Sequence, residues 1–394
     1  MHSQPAASLS PDADASPPRA LPAWVYSHPQ LLPLELERIL LPSWQLVCHQ
    51  NSIPQPGDYQ TFDLGRESVL VLRARDGAIK AFHNVCRHRG ARLLDGAGAC
   101  PTAITCPYHG WTYRHDGGLI GTPVRDSFPG LVRADHGLRP VRTDMAFGFV
   151  FVCLTPDSAF GAPPPVAEQW GALGAELLPY RCEEMVPLGP ITSDVWNVDW
   201  KIAMDNYLES YHVPIGHPGL YRMFTPDYED QATVPGVARG LSWLRDKRSA
   251  RWSEGLYQAL IGGVALHLPE DLRRCWRFYS ALPNLGIDVY PDQMDFFQVL
   301  PGGPGKCIIR GGVFGLPGAG RELRAVRYLS DRINKSVNAE DRWLCERVQR
   351  GLASSSYQPG PLSRLEGCML EFHNLLRQRI PEFRLSSAPA HFSA

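Results

Sequence analysis

Cys86-Arg-His-Arg-Gly90 and Cys106-Pro-Tyr-His-Gly-Trp111 decide how the first half of this chain folds and what it holds. Each stretch offers one cysteine and one histidine, Cys86 with His88 and Cys106 with His109. Seventeen residues separate the two pairs. Gly90 and Gly110 follow the histidines, where tight loops must bring backbone N–H groups close to the sulfurs.

Two thiolates and two imidazoles, shared between two loops, suit a two-iron cluster. One iron takes the sulfurs and the other the imidazoles, which is the ligand set of a Rieske [2Fe–2S] centre. Zinc is the competing reading of any Cys₂His₂ set, but its usual spacing pairs cysteine with cysteine and histidine with histidine. Pro107, Tyr108 and Trp111 are placed to shield the cluster and so tune its potential. Cys100 lies between the loops and is expected to be a structural or surface thiol, because the mixed pairs already supply four ligands.

Outward from these loops, residues 59–64, 68–74, 79–85 and 147–154 read as short strands between Gly/Asp/Pro turns, an all-β domain. Residues 31–41 read as a short amphipathic helix. The segment 155–165, rich in proline, is a domain boundary. Beyond it, strands at 275–281, 294–300 and 307–314 mix with helices near 197–212, 322–352 and 362–378. The fold class is α+β, with an antiparallel sheet wrapped by helices. The expected organisation is a disordered tail (1–22), an N-terminal helical segment packing on the catalytic domain (23–43), a cluster domain (44–158) and a catalytic domain (166–394).

At 394 residues the chain suits two domains, and 44% hydrophobic residues supply their cores. A net charge of −1, without a basic block, argues against nucleic acid and anionic membrane as partners. No apolar run reaches the length of a membrane helix. The Ala/Ser/Pro-rich start has neither the basic nor the apolar region of a signal peptide. The ten scattered cysteines are therefore expected to stay reduced, in the cytoplasm.

A second metal site is legible in Asn197-Val-Asp-Trp-Lys-Ile-Ala-Met-Asp-Asn-Tyr-Leu-Glu-Ser-Tyr-His-Val-Pro-Ile-Gly-His-Pro218. Glu209 and His212, three apart, are neighbours on one helix face. His217 follows five later, and Pro214 and Pro218 imply a turn that swings it back. Two histidines lack one carboxylate of a 2-His-1-carboxylate iron triad. Asp341 is the choice, because on a helix over 338–352 it shares a core-facing stripe with Leu344, Cys345, Val348 and Leu352. Glu340 would sit about 100° away, on a more solvated side. A carboxylate on an apolar face is costly unless paired or metal-bound. Taken alone, the histidines also suit a core pair or a helix cap, and Asp341 a helix N-terminal charge.

The cluster loops and the Asn-x-Asp-Trp-Lys…Glu-Ser-Tyr-His-Val-Pro…His-Pro segment together resemble the α (terminal oxygenase) subunits of Rieske non-haem iron oxygenases, over nearly the whole chain after the tail. Respiratory-type Rieske proteins carry an extra cysteine in each loop, and neither loop has one here. The resemblance implies a helix-grip (START-like) catalytic domain that holds mononuclear Fe(II) through His212, His217 and Asp341. It implies that Glu209 bridges His212 to His109 of the partner subunit, in a head-to-tail homotrimer. Asp205, one turn before Glu209, is expected to support that network.

No Gly-x-Gly-x-x-Gly sits between a strand and a helix, and Pro301-Gly-Gly-Pro-Gly-Lys306 lacks the first glycine of a P-loop. With the resemblance, this implies that electrons for O₂ come from NAD(P)H through a separate flavin/iron–sulfur reductase, directly or through a ferredoxin. Arg87 and Arg89 are docking or tuning candidates, or ordinary solvated arginines. The expected reaction hydroxylates, dihydroxylates or demethylates a small molecule. The segment from Glu346 to His373 resembles choline, glycine betaine and carnitine monooxygenases. A quaternary ammonium would want an aromatic cage, for which Tyr207, Tyr211, Trp196 and Trp200 are candidates. An aromatic acid, as in aromatic hydrocarbon catabolism, would want a guanidinium fork from Arg222, Arg245, Arg248 or Arg251. A Rieske electron carrier without oxygenase activity is the alternative of a different class; it would leave the second metal set idle.

Overall fold

The computed structural model describes residues 18–226, 229–318 and 320–392. Its first half is built of short antiparallel strands: β1 (Gln45–His49), β2 (Asp58–Leu64), β3 (Glu67–Arg73), β4 (Ile79–His83), β5 (Ala97–Ala99), β6 (Ile104–Thr105), β7 (Thr112–Tyr113), β8 (Leu119–Gly121), β9 (Arg142–Ala146) and β10 (Phe149–Cys153). They form the sheets β4-β3-β2-β5, β6-β7-β8 and β1-β10-β9. Alternation in β2 and β3 buries Phe62, Leu64, Val69 and Val71 together with the second half of the chain. Leu70 and Leu72 face the other way, into a small core that holds Cys86, Cys106, Trp111 and Tyr113.

After the irregular 155–165 stretch come α1's later companions, α1 itself being Leu31–Glu35: α2 (Val166–Trp170), α3 (Ala172–Ala175), α4 (Trp200–Tyr207), α5 (Val213–Gly216), α6 (Pro218–Met223), α7 (Trp252–Val264), α8 (Arg321–Leu352) and α9 (Gly367–Arg379). They cover a sheet of eight antiparallel strands: β11 (Val186–Pro187), β12 (Thr192–Trp196), β13 (Glu229–Val234), β14 (Val237–Trp243), β15 (Cys275–Ala281), β16 (Leu285–Val289), β17 (Met294–Gly303) and β18 (Lys306–Gly315). The path is β11-β18-β17-β16-β15-β14-β13, with β12 also on β18. Arg310 ties the halves together. It is 7% exposed and donates to the Leu46 carbonyl and to Gln298 on β17, both at 3.0 Å.

Three local expectations change. The tail expected over 1–22 lies outside the described residues up to 17, but 18–22 are fixed. Leu21 is fully buried, and Ala20 N–H donates to the Gly360 carbonyl at 3.0 Å. The helix expected over 31–41 divides into α1 and a π turn, Leu36–Leu40, packed against α4 and α9. The helix expected over 197–212 stops at Tyr207, so the residues after it are positioned by turns. Among the described residues no helix is long and apolar enough to cross a membrane, and all ten cysteines are free thiols.

Candidate metal centres

The two Cys/His loops fold alike. In each, the cysteine N–H donates to the carbonyl five residues on (Cys86 to Ala91, Cys106 to Trp111), both at 2.8 Å. The glycine four residues on returns its N–H to the cysteine carbonyl, at 3.1 Å from Gly90 and 3.0 Å from Gly110. Those glycines have φ of 73° and 67°, a left-handed turn that other residues resist. The thiols are buried, while the imidazoles of His88 and His109 meet at 4.7 Å between ring centroids. Trp111 stacks on His88 at 4.9 Å, and Tyr108 lies 3.8 Å from His109. The Tyr113 hydroxyl sits 3.2 Å from Cys86 Sγ and accepts from Arg87 N–H at 3.0 Å.

These residues fit an iron–sulfur cluster. Burial pushes the Cys86 thiol up, a penalty that a bound metal's charge reverses. His88 Nδ1 is buried with no hydrogen-bond partner, as a nitrogen reserved for a metal would be. Cys100 stands apart, donating to the Gly57 carbonyl at 3.4 Å.

The second set converges through turns. Asp199 caps α4, and after Tyr207 the chain turns so that His212 N–H donates to Glu209 Oε2 at 3.1 Å. Ser210 N–H donates to Asp230 Oδ2 at 2.8 Å, pinning this turn to β13. Pro214 and Pro218 sit in the first turns of α5 and α6, where a missing N–H costs nothing. They permit these short helices rather than exclude them. The break falls at His217, whose φ of −121° and ψ of 74° lie outside the helical region that the following proline disfavours.

His212 Nε2 and His217 Nε2 are 3.1 Å apart, and Asp341 Oδ1 lies 2.9 Å from the second and 3.7 Å from the first. A carboxylate only accepts, so His212 Nδ1 must donate to Glu209 Oε1 (2.5 Å) and His217 Nδ1 to Glu340 Oε2 (2.8 Å). In the metal-binding form, with Nδ1 so occupied, each ring presents its Nε2 lone pair to the point that Asp341 Oδ1 also faces. Three electron-rich atoms facing one point repel unless a cation lies between them. Burial would lower the His217 pKa, yet Asp341 and Glu340 outweigh it and raise it. The pocket is built to hold positive charge, and the donor set suits ferrous iron.

Asp341 stands where the sequence stripe puts it, between Ile333 and Cys345 on α8, although Val348 is half-exposed. Two expectations are corrected. Glu340 reaches the site despite its offset on the helix, because its longer side chain spans to His217. Asp205 turns away, accepting from Tyr26 (2.7 Å) and bonding His373 Nε2 (2.9 Å). The neighbour that sequence reasoning missed is Asn206, with Nδ2 at 3.4 Å from His212 Nε2. Its adjacency to a helix end was the only signal.

Residues 43–134 match the Rieske [2Fe–2S] domain, and residues 183–382 match the catalytic domain of the ring-hydroxylating α subunit. The chain belongs to this family: it is an oxygenase with a Rieske domain and a catalytic domain, an oxidoreductase, and the reading as a bare electron carrier falls. It is 31% identical over 377 residues to the glycine betaine monooxygenase oxygenase subunit of Chromohalobacter salexigens, covering 88% of this chain and 82% of that one. It is 30% identical over 366 residues to the chloroplastic choline monooxygenase of Arabidopsis thaliana, covering 91% and 82%. Among solved structures, a quaternary ammonium Rieske monooxygenase superposes with a TM-score of 0.78 at 23% identity, covering 92% and 96%. Naphthalene 1,2-dioxygenase from Rhodococcus sp. gives 0.73 at 21%, covering 91% and 93%. At such identities these structures speak to the fold.

Proposed function

We propose that this chain is the terminal oxygenase of a monooxygenase that oxidises a small quaternary ammonium compound with O₂. The observation that carries the reading is the similarity, along about nine-tenths of the chain, to oxygenases named for glycine betaine and choline. The rival aromatic-acid reading needs a free guanidinium fork. Arg222 is already taken by Glu254, with Nη2 at 2.7 Å, and Arg245 by the Phe224 carbonyl. Arg248 and Arg251 are exposed.

Cys86, Cys106, His88 and His109 would hold the cluster, and His212, His217 and Asp341 the iron. Iron held there supplies the redox chemistry of O₂ activation. The chain's own part is to fix both imidazoles, through Glu209 and Glu340, as Nδ1–H tautomers with Nε2 presented to the metal. Asp341 adds negative charge beside them. Glu209 takes the further role of joining His212 to His109 of the partner subunit in a head-to-tail homotrimer. Electrons come from NAD(P)H through a separate flavin/iron–sulfur reductase, with or without a ferredoxin.

The test is oxygen uptake by the iron-loaded protein with a generic reductase. Glycine betaine, choline and carnitine are compared with benzoate-type acids. Uptake coupled to product with a quaternary ammonium is expected; coupled turnover confined to aromatic acids would overturn the reading.

A further inference from the structure

The helix-facing side of the large sheet is not uniformly apolar. One cluster gathers Met204, Cys345 and Phe372 under α4, α8 and α9. Another gathers Trp276, Tyr257 and Ile333 under α7 and the first half of α8. Between them the sheet presents Asp288 on β16, opposite Phe278 on β15 and opposite Asp295 on β17. Tyr207, at the end of α4, stacks on Phe297 at 5.3 Å and donates to Asp288 Oδ1 at 2.5 Å. The Tyr290 hydroxyl reaches Asp288 Oδ2 at 3.4 Å.

Asp288, Asp295, Phe278 and Phe297 all lie within the domain, yet each keeps accessible surface. They form a polar and aromatic floor that the helices do not cover completely. This floor adjoins the metal set: Asp288 and Asp341 feel each other's charge, and Tyr207 is next to Asn206, whose Nδ2 is 3.4 Å from His212 Nε2. No lysine or arginine acts on either floor carboxylate among the described residues. Burial pushes the Asp288 carboxyl up to about 7, the tyrosine hydroxyls pulling it partly back. Such a group gains from any opposite charge brought to it.

We propose that Asp288, walled by Tyr207, Tyr290 and Phe278, is the specificity-determining residue of this site and holds the cationic head of the substrate beside the metal set. The inference rests on the quaternary-ammonium reading and deepens it. A tetraalkylammonium has no N–H to donate, so a site can recognise it only by shape, aromatic faces and opposite charge. This floor offers the last two. An aromatic acid, which has a carboxylate and no cationic head, would find no opposite charge to offer this floor.

The test uses the iron-loaded holoenzyme and Asp288→Asn, which keeps the shape and removes the charge. Binding of tetramethylammonium and of its neutral analogue tert-butanol is measured by calorimetry, with cluster spectrum and iron content as controls. The wild type is expected to prefer the cation. Asp288→Asn should cut that preference by about ten- to a hundredfold, the effect of one close opposite charge, and Asp288→Glu should restore part of it. Should Asp288→Asn fail to fold, Asp295→Asn carries the same comparison, with a smaller loss expected. An unchanged preference, or none in the wild type, overturns the inference. Turnover is scored separately: a wild type that binds the cation through Asp288 yet oxidises no quaternary ammonium overturns the substrate reading and with it the substrate role of Asp288, leaving only a cation site there, whereas quaternary-ammonium turnover that Asp288→Asn leaves unchanged overturns this inference alone.

Discussion

Glu209 and Glu340 make the same bond to different histidines, yet they are expected to fail differently when removed. Among the described residues Glu340 hydrogen-bonds to His217 Nδ1 and Ser336, and its side chain is 31% exposed, so its role is to aim a ligand. Glu340→Ala should weaken iron binding by about 10–100-fold, the usual effect of losing a ligand's supporting carboxylate. Turnover should return at saturating ferrous iron, read by iron titration against oxygen uptake. Glu209→Ala should keep both metals at saturating iron and still form no product, because the path for electrons is cut. Product formation at the wild-type rate by this variant would remove the bridging role. His212, His217 and Asp341 could be read from the sequence, since an aspartate on an apolar stripe is costly without a partner. Glu340 could not. A helical wheel records where Cβ points and not how far a longer side chain reaches.

At the scale of elements, α4 is anchored by charge as much as by packing. Lys201 is fully buried on it, bonded to Glu35 of α1 and 2.7 Å from Asp199 Oδ1. Trp200 Nε1 donates to the same Glu35 at 2.8 Å. Trp200, held on Glu35, and Trp196, packed in the same core and bonded to Asp194, are core residues and not walls of an aromatic cage, while Tyr211 is 59% exposed. Lys201→Met would leave two buried carboxylates facing each other, at a cost of about 3–5 kcal/mol. A lowered denaturation midpoint checks this, with fluorescence and circular dichroism read together; an unchanged midpoint would show that the ammonium is not the anchor. In the first half β2, β3, β4 and β10, with β15, β17, β18 and α8 beyond, were legible from alternation or a long apolar stripe, while β1 and the short β5 to β9 were not. Others were hidden by composition. Gly255, Gly262 and Gly263 dilute the helical signal of α7, each costing about 1 kcal/mol against alanine. β13 and β14 carry Pro235 and Gly236 at their turn and charges along their length.

Over the whole molecule the two metal sets are separate. Among the described residues no hydrogen bond, ion pair or ring contact joins the cluster loops to the His212–His217–Asp341 set within one chain. Each set instead shows apolar surface at its edge. Tyr108 is 58% exposed beside His109, and Ile215 is 89% exposed between His212 and His217. The spacing of residues along a chain is silent about contacts between chains, so the proposed trimer rests on family resemblance alone. Its consequence is open to a direct test. A Cys86→Ser chain should lack the cluster and keep iron; an Asp341→Ala chain should keep the cluster and lack mononuclear iron. Each alone should be inactive. When the two are co-expressed and the mixed assemblies purified, every iron-bearing chain that follows a cluster-bearing neighbour regains its electron source. Random filling of a head-to-tail ring then restores about one quarter of the wild-type activity per chain. Transfer confined within a chain predicts none, because no chain carries both metals. A mixed preparation that stays inactive, with both metals present by spectroscopy and iron analysis, would therefore place the electron path inside the single subunit.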